Sequence, residues 1–499
     1  MNRVLKILFF IIIAFNIFFA SWYVLHNDIE FTSEVARDLF LLDEISKKKI
    51  VLIGPSSTTG LFHGPLWTYI NYPAYAIGQG DPVVVGWGWI SFIILFLISS
   101  YYIGKNLFDS RTGYLFTLML SIYSVYIAKN LYNPHGAFFL VPAFFFFFIR
   151  YIETLKVKYL IIHVLLTGMI IQFQMAIGIP FLILSFLYIA LLTIKSQKYL
   201  HLLSFSLILL TLSNFLIFNL RHESLLSQQV MKFITSGSSG YHHILQMLEQ
   251  RFRFMVGGAE ILRVDPGNIN YILFLILIVF LVFQIVQNKN KKIYFSFLYF
   301  YFGYLIISNL NGGGLLYFYL FPLFPLVFLI FSSFSNSKYP KVFMGIFFVI
   351  FLLNTFNALD FDIKSSYHSM GKSEWSWMFY KKLALEVFTG KEEFGYFVYS
   401  PDVVGYRPKY ALFYTEKLYP HKAIYFQKKP VTYLIIAPPP SNNPYMKDEW
   451  WRINLLHINK KPESVINFDN GYKIEKYFLS EKEILVPVEQ GIDPGIHFR

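Results

Sequence analysis

Eleven separate stretches of roughly 17 to 25 mostly apolar residues lie within the first 360 positions of this chain, and they constrain it more than any motif does. They run approximately over 5–25, 82–103, 112–130, 135–152, 158–174, 176–194, 201–220, 269–287, 293–309, 315–333 and 342–359. A bilayer core about 30 Å thick demands that length of a helix. Inside it only a helix satisfies every backbone N–H and C=O within a single segment. A length of 499 residues would suggest about three soluble domains, but 15% charged residues, against about 25% in soluble domains, exclude that. The first stretch reads as a helix and not as a signal peptide, because its apolar run outlasts a usual h-region and no small-x-small cleavage site follows. Cysteine is absent, which excludes disulfides, cysteine zinc sites and thiol nucleophiles.

The net charge of +13 has a topological meaning. With the N-terminus inside, the short inner segments carry 14 basic residues, from Arg3 to Lys341, against two acids, Asp109 and Glu153. The outer side of residues 1–359 carries 10 basic and 11 acidic residues. Such a bias sets orientation and is no nucleic-acid footprint. Eleven spans then leave the C-terminus outside. The expected fold is a polytopic α-helical membrane domain, 1–359, with outer loops 26–81 and 221–268, followed by a soluble α/β domain, 360–499. In that tail, strand-like runs (Tyr396 to Tyr399, Val431 to Ala437) alternate with turn signals at Pro438 to Pro440 and Asn467 to Gly471.

Several motifs carry little. Gly54 to Gly60 lacks the Gly-Lys-Ser/Thr ending of a phosphate loop and falls on the outer side, where ATP is scarce. Asp360-Phe361-Asp362 has the Asp-x-Asp form of metal and nucleotide-sugar enzymes, but three residues match by chance often. His242 and His243 point to different faces of a helix, which favours a surface role over a metal pair.

The first outer loop holds the best chemistry. Glu34, Arg37 and Asp38, at i, i+3, i+4, share one face of a helix just beyond the first span, as a surface ion pair or as a site. Gly60-Leu-Phe-His-Gly-Pro-Leu-Trp67 sets His63 between turn residues, ahead of Trp67, Tyr69, Tyr72 and Tyr75, an aromatic series suited to a membrane interface. In the second loop Ile244, Leu248, Phe252 and Met255 have helical spacing beside Arg251 and Arg253, an amphipathic helix for the membrane surface.

The arrangement resembles the glycosyltransferase-C superfamily, in particular the protein O-mannosyltransferase and lipid A aminoarabinose transferase group. The matching pieces are Glu34-Val-Ala-Arg37 after the first span, GPSSTTGLFHGPLWTYINYPAYAIG over 54–78, Asn133-Pro134 at an outer helix end, Asn219-Leu-Arg221-His222, and Tyr317-Phe-Tyr319 ahead of Pro322. The likeness covers most of residues 1–330.

That resemblance implies an inverting transfer of a sugar from a polyprenyl-phosphate carrier to an acceptor hydroxyl at the outer face of the cell membrane. The family's first-loop Asp is Glu34 here, so Glu34 or Asp38 is the implied base. The family's Glu-Lys-Pro unit falls on His63-Gly64-Pro65 and loses its lysine. Arg37, His63, Asn133, Arg221, His222, Tyr317 and Tyr319 are the implied substrate-binding residues. A lipid donor needs no nucleotide fold, and the chemistry needs a carboxylate to take the hydroxyl proton and cations to hold the departing phosphate. The implied partners are the polyprenyl-phosphate sugar, an envelope acceptor (protein, lipid or polysaccharide) and membrane lipid. No organic cofactor is called for, and a divalent metal is left open. The rival readings are a flippase or transporter of lipid-linked sugars and a non-catalytic scaffold.

Overall fold

The structure, a computed structural model, describes residues 3–56, 61–235, 244–257, 261–262, 269–287, 290–309, 317–390, 392–402, 404–419, 423–439 and 447–489. Its helices include α1 (Arg3–Ala20), α2 (Ser33–Lys48), α3 (Pro82–Leu107), α4 (Ser110–Ile127), α5 (Pro134–Thr154), α6 (Val157–Phe173), α7 (Met175–Lys195) and α8 (Ser213–Arg221). There follow α9 (Ile244–Gly257), α10 (Ile269–Val286), α11 (Lys291–Ser308), α12 (Phe318–Asn336), α13 (Pro340–Ser369), α14 (Trp377–Val387) and α15 (Tyr406–Leu418).

Among the described residues seven helices, α1, α3, α5, α7, α10, α12 and α13, are long and apolar enough to cross a membrane. An eighth is added if Tyr199–Thr211 and α8, bent by 50° at their junction, form one span. Among the described residues each of the eleven expected stretches falls on helix over most of its length, but α4, α6 and α11 do not meet the length and hydropathy of a span. Serine, threonine and tyrosine in α4 and α11 explain the shortfall there, and α6 has only 17 residues. Helix α13 runs ten residues past the expected end at 359, since a helix does not stop where its sequence turns polar.

The chain divides into two compact units, each described by itself. The first comprises residues 1–21, 50–71 and 88–362. At its centre, every residue from Phe324 to Ser333 in α12 is buried. Outlying helices leave Phe10, Leu275, Val279, Phe348 and Phe356 exposed, more apolar surface than a water-soluble protein tolerates and what lipid contact requires. Helices α6 and α7 are joined by the single extended residue Gln174, so they pack as a tight pair. Polar stitches fix the packing: Asn16 donates to Ser121 at 2.8 Å between α1 and α4, and buried His163 lies between the Phe144 carbonyl and Ser185 Oγ, each at 3.0 Å.

The second unit comprises residues 22–49, 72–87 and 363–499, so it gathers α2 and the tail. A division at 359/360 follows the expected membrane topology; compactness divides the chain differently. Its sheet is built from β1 (Phe394–Tyr399), β2 (Ala423–Tyr425), β3 (Val431–Ile436), β4 (Ser464–Asn467) and β5 (Lys473–Phe478), in the order β2-β1-β3-β5-β4. β1 pairs parallel with β2 and β3, and β5 pairs antiparallel with β3 and β4. Both strand-like runs read from the tail sequence are strands, and the Asn467 to Gly471 turn joins β4 to β5. The short link from β2 to β3 passes β1 at Gly395, where a Cβ would lie 1.8 Å from the Gln427 carbonyl oxygen, so only glycine fits. Phe397, Leu434, Ile436, Leu456, Ile458 and Tyr477 form a core on the sheet.

Candidate active site

Thr32 starts α2. Its backbone is extended and its hydroxyl accepts from Val35 N at 3.3 Å, satisfying one of the four orphan donors of the first turn. Glu34 stands in that first turn, where the helix dipole favours an acid, and is exposed. It accepts no hydrogen bond among the described residues. Arg37 turns to its neighbour, donating from Nε at 3.1 Å and Nη2 at 2.9 Å to one oxygen of Asp38. Asp38 is 7% exposed, and its other oxygen, Oδ2, is enclosed with no partner. Burial raises the proton affinity of Asp38; Arg37 works against this, and the charge of Glu34 adds to it. The shared face read from the spacing is present, and the ion pair on it is Arg37–Asp38.

Farther along α2, Asp43 accepts from Lys417 Nζ at 2.6 Å, Lys47 Nζ at 2.8 Å and Tyr75 OH at 3.1 Å. Burial would raise its proton affinity, but the two lysines outweigh that and hold the carboxyl below its ordinary value. The Lys417 bond ties α2 to α15. Ahead of the helix, buried Asp28 accepts from Ile29 N, Ser376 Oγ and Met378 N at 2.6 to 3.0 Å, tying the approach to α2 to the start of α14.

The tail supplies neighbours that the sequence did not announce. Ser33 Oγ donates to Asp402 Oδ2 at 3.3 Å, and Asp402 Oδ1 accepts from Ser400 Oγ at 2.6 Å and Gly405 N at 2.8 Å. Tyr406, the first residue of α15, feels both Arg37 and Asp402. The loop follows β1 at the carboxyl end of the parallel strands, where open sheets generally place ligands. No local pattern marks Asp402 or Tyr406, because their relation to α2 spans some 370 positions.

The remaining expected residues belong to the first unit and have separate surroundings. The backbone of His63 pairs with Gly54 N and Pro55 O, while residues 57–60 of that turn lie outside the described residues. Gly64 N donates to Gln172 O at 2.9 Å, and a Cβ there would meet Gln172 Oε1 at 2.1 Å. Asn133, buried ahead of Pro134, donates from Nδ2 to Phe173 O. Arg221 is exposed at the end of α8, and the His222 ring stacks on Phe218 at 4.0 Å. Tyr319 is half-buried and its carbonyl accepts from Tyr304 OH at 3.3 Å; the side chain of Tyr317 lies outside the described residues, as do His242 and His243. A cleft of about 290 Å3 between Leu52, Pro65, Tyr69, Gln172, Thr211 and Asn214 is mostly apolar, with a hydrogen bond from Gln172 Nε2 to Asn214 Oδ1 at 2.9 Å on its wall.

In the second loop, Met255 of α9 is buried, Phe252 is 48% exposed, open to a membrane surface, and Arg251 is 2% exposed, facing Tyr304. Arg251 and Met255, one turn apart, lie on the packed face. An arginine buried among apolar helices is a functional candidate by its cost alone. Among the described residues no group of three or more His, Asp or Glu is placed to hold a metal.

No protein-family model matches the sequence, and no curated protein matches it. Solved structures do. The chain is similar to ArnT from Cupriavidus metallidurans bound to undecaprenyl phosphate, with a TM-score of 0.56 at 11% identity, over 95% of this chain and 98% of that one. It is similar to the apo state of the same protein with a TM-score of 0.58 at 9% identity over the same shares. The likeness shows that the chain shares the fold of that protein.

Proposed function

We propose that the protein is an inverting glycosyltransferase that moves a sugar from a polyprenyl-phosphate carrier to an acceptor hydroxyl at the extracytoplasmic face of the cell membrane. The observation that carries this reading is the division of labour in the first turns of α2. Arg37 is held by Asp38 through two bonds to one oxygen, and Glu34 is left exposed and unengaged among the described residues. Glu34 is then the base and Arg37 the phosphate clamp, with Asp38 aligning the guanidinium. The acceptor hydroxyl gives its proton to Glu34 as its oxygen attacks the anomeric carbon. The bond from that carbon to the phosphate oxygen breaks with inversion, and polyprenyl phosphate leaves, its charge met by Arg37. Support comes from the fold shared with a protein solved with undecaprenyl phosphate. Arg251 and the expected binding residues His63, Asn133, Arg221, His222, Tyr317 and Tyr319 are assigned to donor and acceptor binding.

Purified protein should release polyprenyl phosphate from at least one polyprenyl-phosphate sugar and ignore nucleotide sugars. Turnover on a nucleotide sugar with the lipid donor absent would sink the mechanism. The bent pair Tyr199–Thr211 and α8, with buried Arg251, favours a second reading, a flippase of lipid-linked sugars. That reading wins if reconstituted protein redistributes the intact lipid-linked sugar between leaflets and breaks no glycosidic bond.

A further inference from the structure

The least protected feature of the second unit is the free edge of its sheet. Strand β4 ends the order β2-β1-β3-β5-β4 and pairs with β5 along one side. All four of its residues, Ser464 to Asn467, are exposed, the apolar Val465 and Ile466 among them. Sheets commonly blunt such an edge with a charge or a proline inside the strand. β4 has neither, and its charges flank it instead. Lys461, Glu463 and Asp469 are exposed, and among the described residues no ion pair or side-chain hydrogen bond engages them.

These groups are arranged symmetrically about Val465. Lys461 and Asp469 stand four positions before and after it, Glu463 and Asn467 two before and two after. Along a strand edge the residues whose N–H and C=O point away from the sheet alternate, and in an antiparallel pair outward residues of one strand meet outward residues of the other. A two-fold axis relating two β4 strands therefore passes through a residue, not between two. An axis at Ile466 would set Glu463 against Asp469, a like-charge pair made twice. An axis at Ser464 would leave Lys461 opposite Asn467 and Asp469 opposite Asn459, with no charge pair closed. At Val465, Lys461 meets Asp469, the Glu463 carboxylate meets the Asn467 amide, and valine meets valine, all favourable cross-strand pairs. We infer that β4 pairs antiparallel with β4 of a second copy of this chain across an axis at Val465, so that the protein is a dimer joined through its tails. Each half of the segment complements the other half, so a second copy satisfies both at once.

The chain has no cysteine, so single-cysteine variants of the full-length protein can be oxidised in isolated membranes and read by non-reducing electrophoresis. On the axis, opposed Cα atoms lie about 4.5 to 5.5 Å apart, within reach of a disulfide. Ile466 faces Ser464 of the other copy, and its own counterpart lies diagonally at about 7 to 8 Å, beyond that reach. Val465→Cys should therefore give a disulfide-linked dimer at least about tenfold faster than Ile466→Cys. Adding Lys461→Glu to the Val465→Cys chain should slow the reaction, and adding Asp469→Lys as well should restore it, because the exchange rebuilds both charge pairs. If Val465→Cys does not fold, co-expressed Ser464→Cys and Ile466→Cys chains carry the test: they should link to each other faster than either links to itself. Equal rates at positions 465 and 466, which random collision would give, overturn the inference. So do the absence of a linked dimer, a charge exchange that restores nothing, and linkage of the Val465→Cys chain to a different polypeptide.

Discussion

At the scale of single residues, the roles proposed for α2 rest on Arg37 bonding Asp38 while Glu34 stays exposed. Glu34→Gln keeps shape but accepts no proton, so kcat should fall by about 10² to 10⁴ while donor affinity changes little, read from steady-state kinetics. Arg37→Ala should weaken donor binding and slow turnover together, because the cation acts in the ground state and on the leaving oxygen. Near wild-type kcat in Glu34→Gln would move the base elsewhere. The pH dependence belongs to Asp38, whose proton affinity is raised, first by burial. Protonation releases Arg37, so donor affinity should fall as pH drops through the raised folded value of Asp38, earlier than for an ordinary carboxylate. The contribution of this group to stability has the opposite sense: it is full below the unfolded value and is lost as pH rises through the folded one. Asp38→Asn should remove the acid limb of the donor-binding profile, measured by titration at a series of pH values. The residue types and their common face were legible from spacing, but which acid takes the arginine, and that this acid is the buried one, were not.

At the scale of elements, local sequence wrote most of the helices. Apolar length alone places 135–152 on Pro134–Thr154, 176–194 on Met175–Lys195 and 269–287 on Ile269–Val286. It places 201–220 on a pair of helices bent by 50° and 342–359 on a helix that continues to Ser369, bends and ends that hydropathy does not report, because it follows lipid and not hydrogen bonding. The cap of α2 is testable. Thr32→Ala leaves Val35 N without its side-chain acceptor and should cost about 1 kcal/mol, seen as a lower Tm with the Glu34 chemistry otherwise intact. Gly395→Ala tests the strand crossing. Its methyl group would meet the Gln427 carbonyl, and overpacking of this kind costs about 1 to 3 kcal/mol or more. Limited proteolysis should then cut within residues 363–499 while α3 to α12 remain protected; an unchanged digestion pattern would show that the crossing yields.

At the scale of the whole molecule, the orientation drawn from 14 inner basic residues against two acids has a direct measurement. In this cysteine-free chain, Glu463→Cys should react with a membrane-impermeant thiol reagent in intact cells and Lys291→Cys should not. The reverse pattern would overturn the orientation and the outer-face chemistry with it. The sequence by itself determined that the chain is a helical membrane protein and where most helices run, and it singled out the acidic-x-x-Arg helix, because these follow from apolar length and from spacing within one or two turns. Only the tertiary structure decided that α2 packs with the tail, that Asp402 and Tyr406 stand beside its first turns, and that Arg251 is buried while Phe252 is not. Each of those facts joins residues far apart in the chain, or reverses which side of a helix is covered, and burial of that kind is set by what packs against a residue, not by its neighbours in sequence.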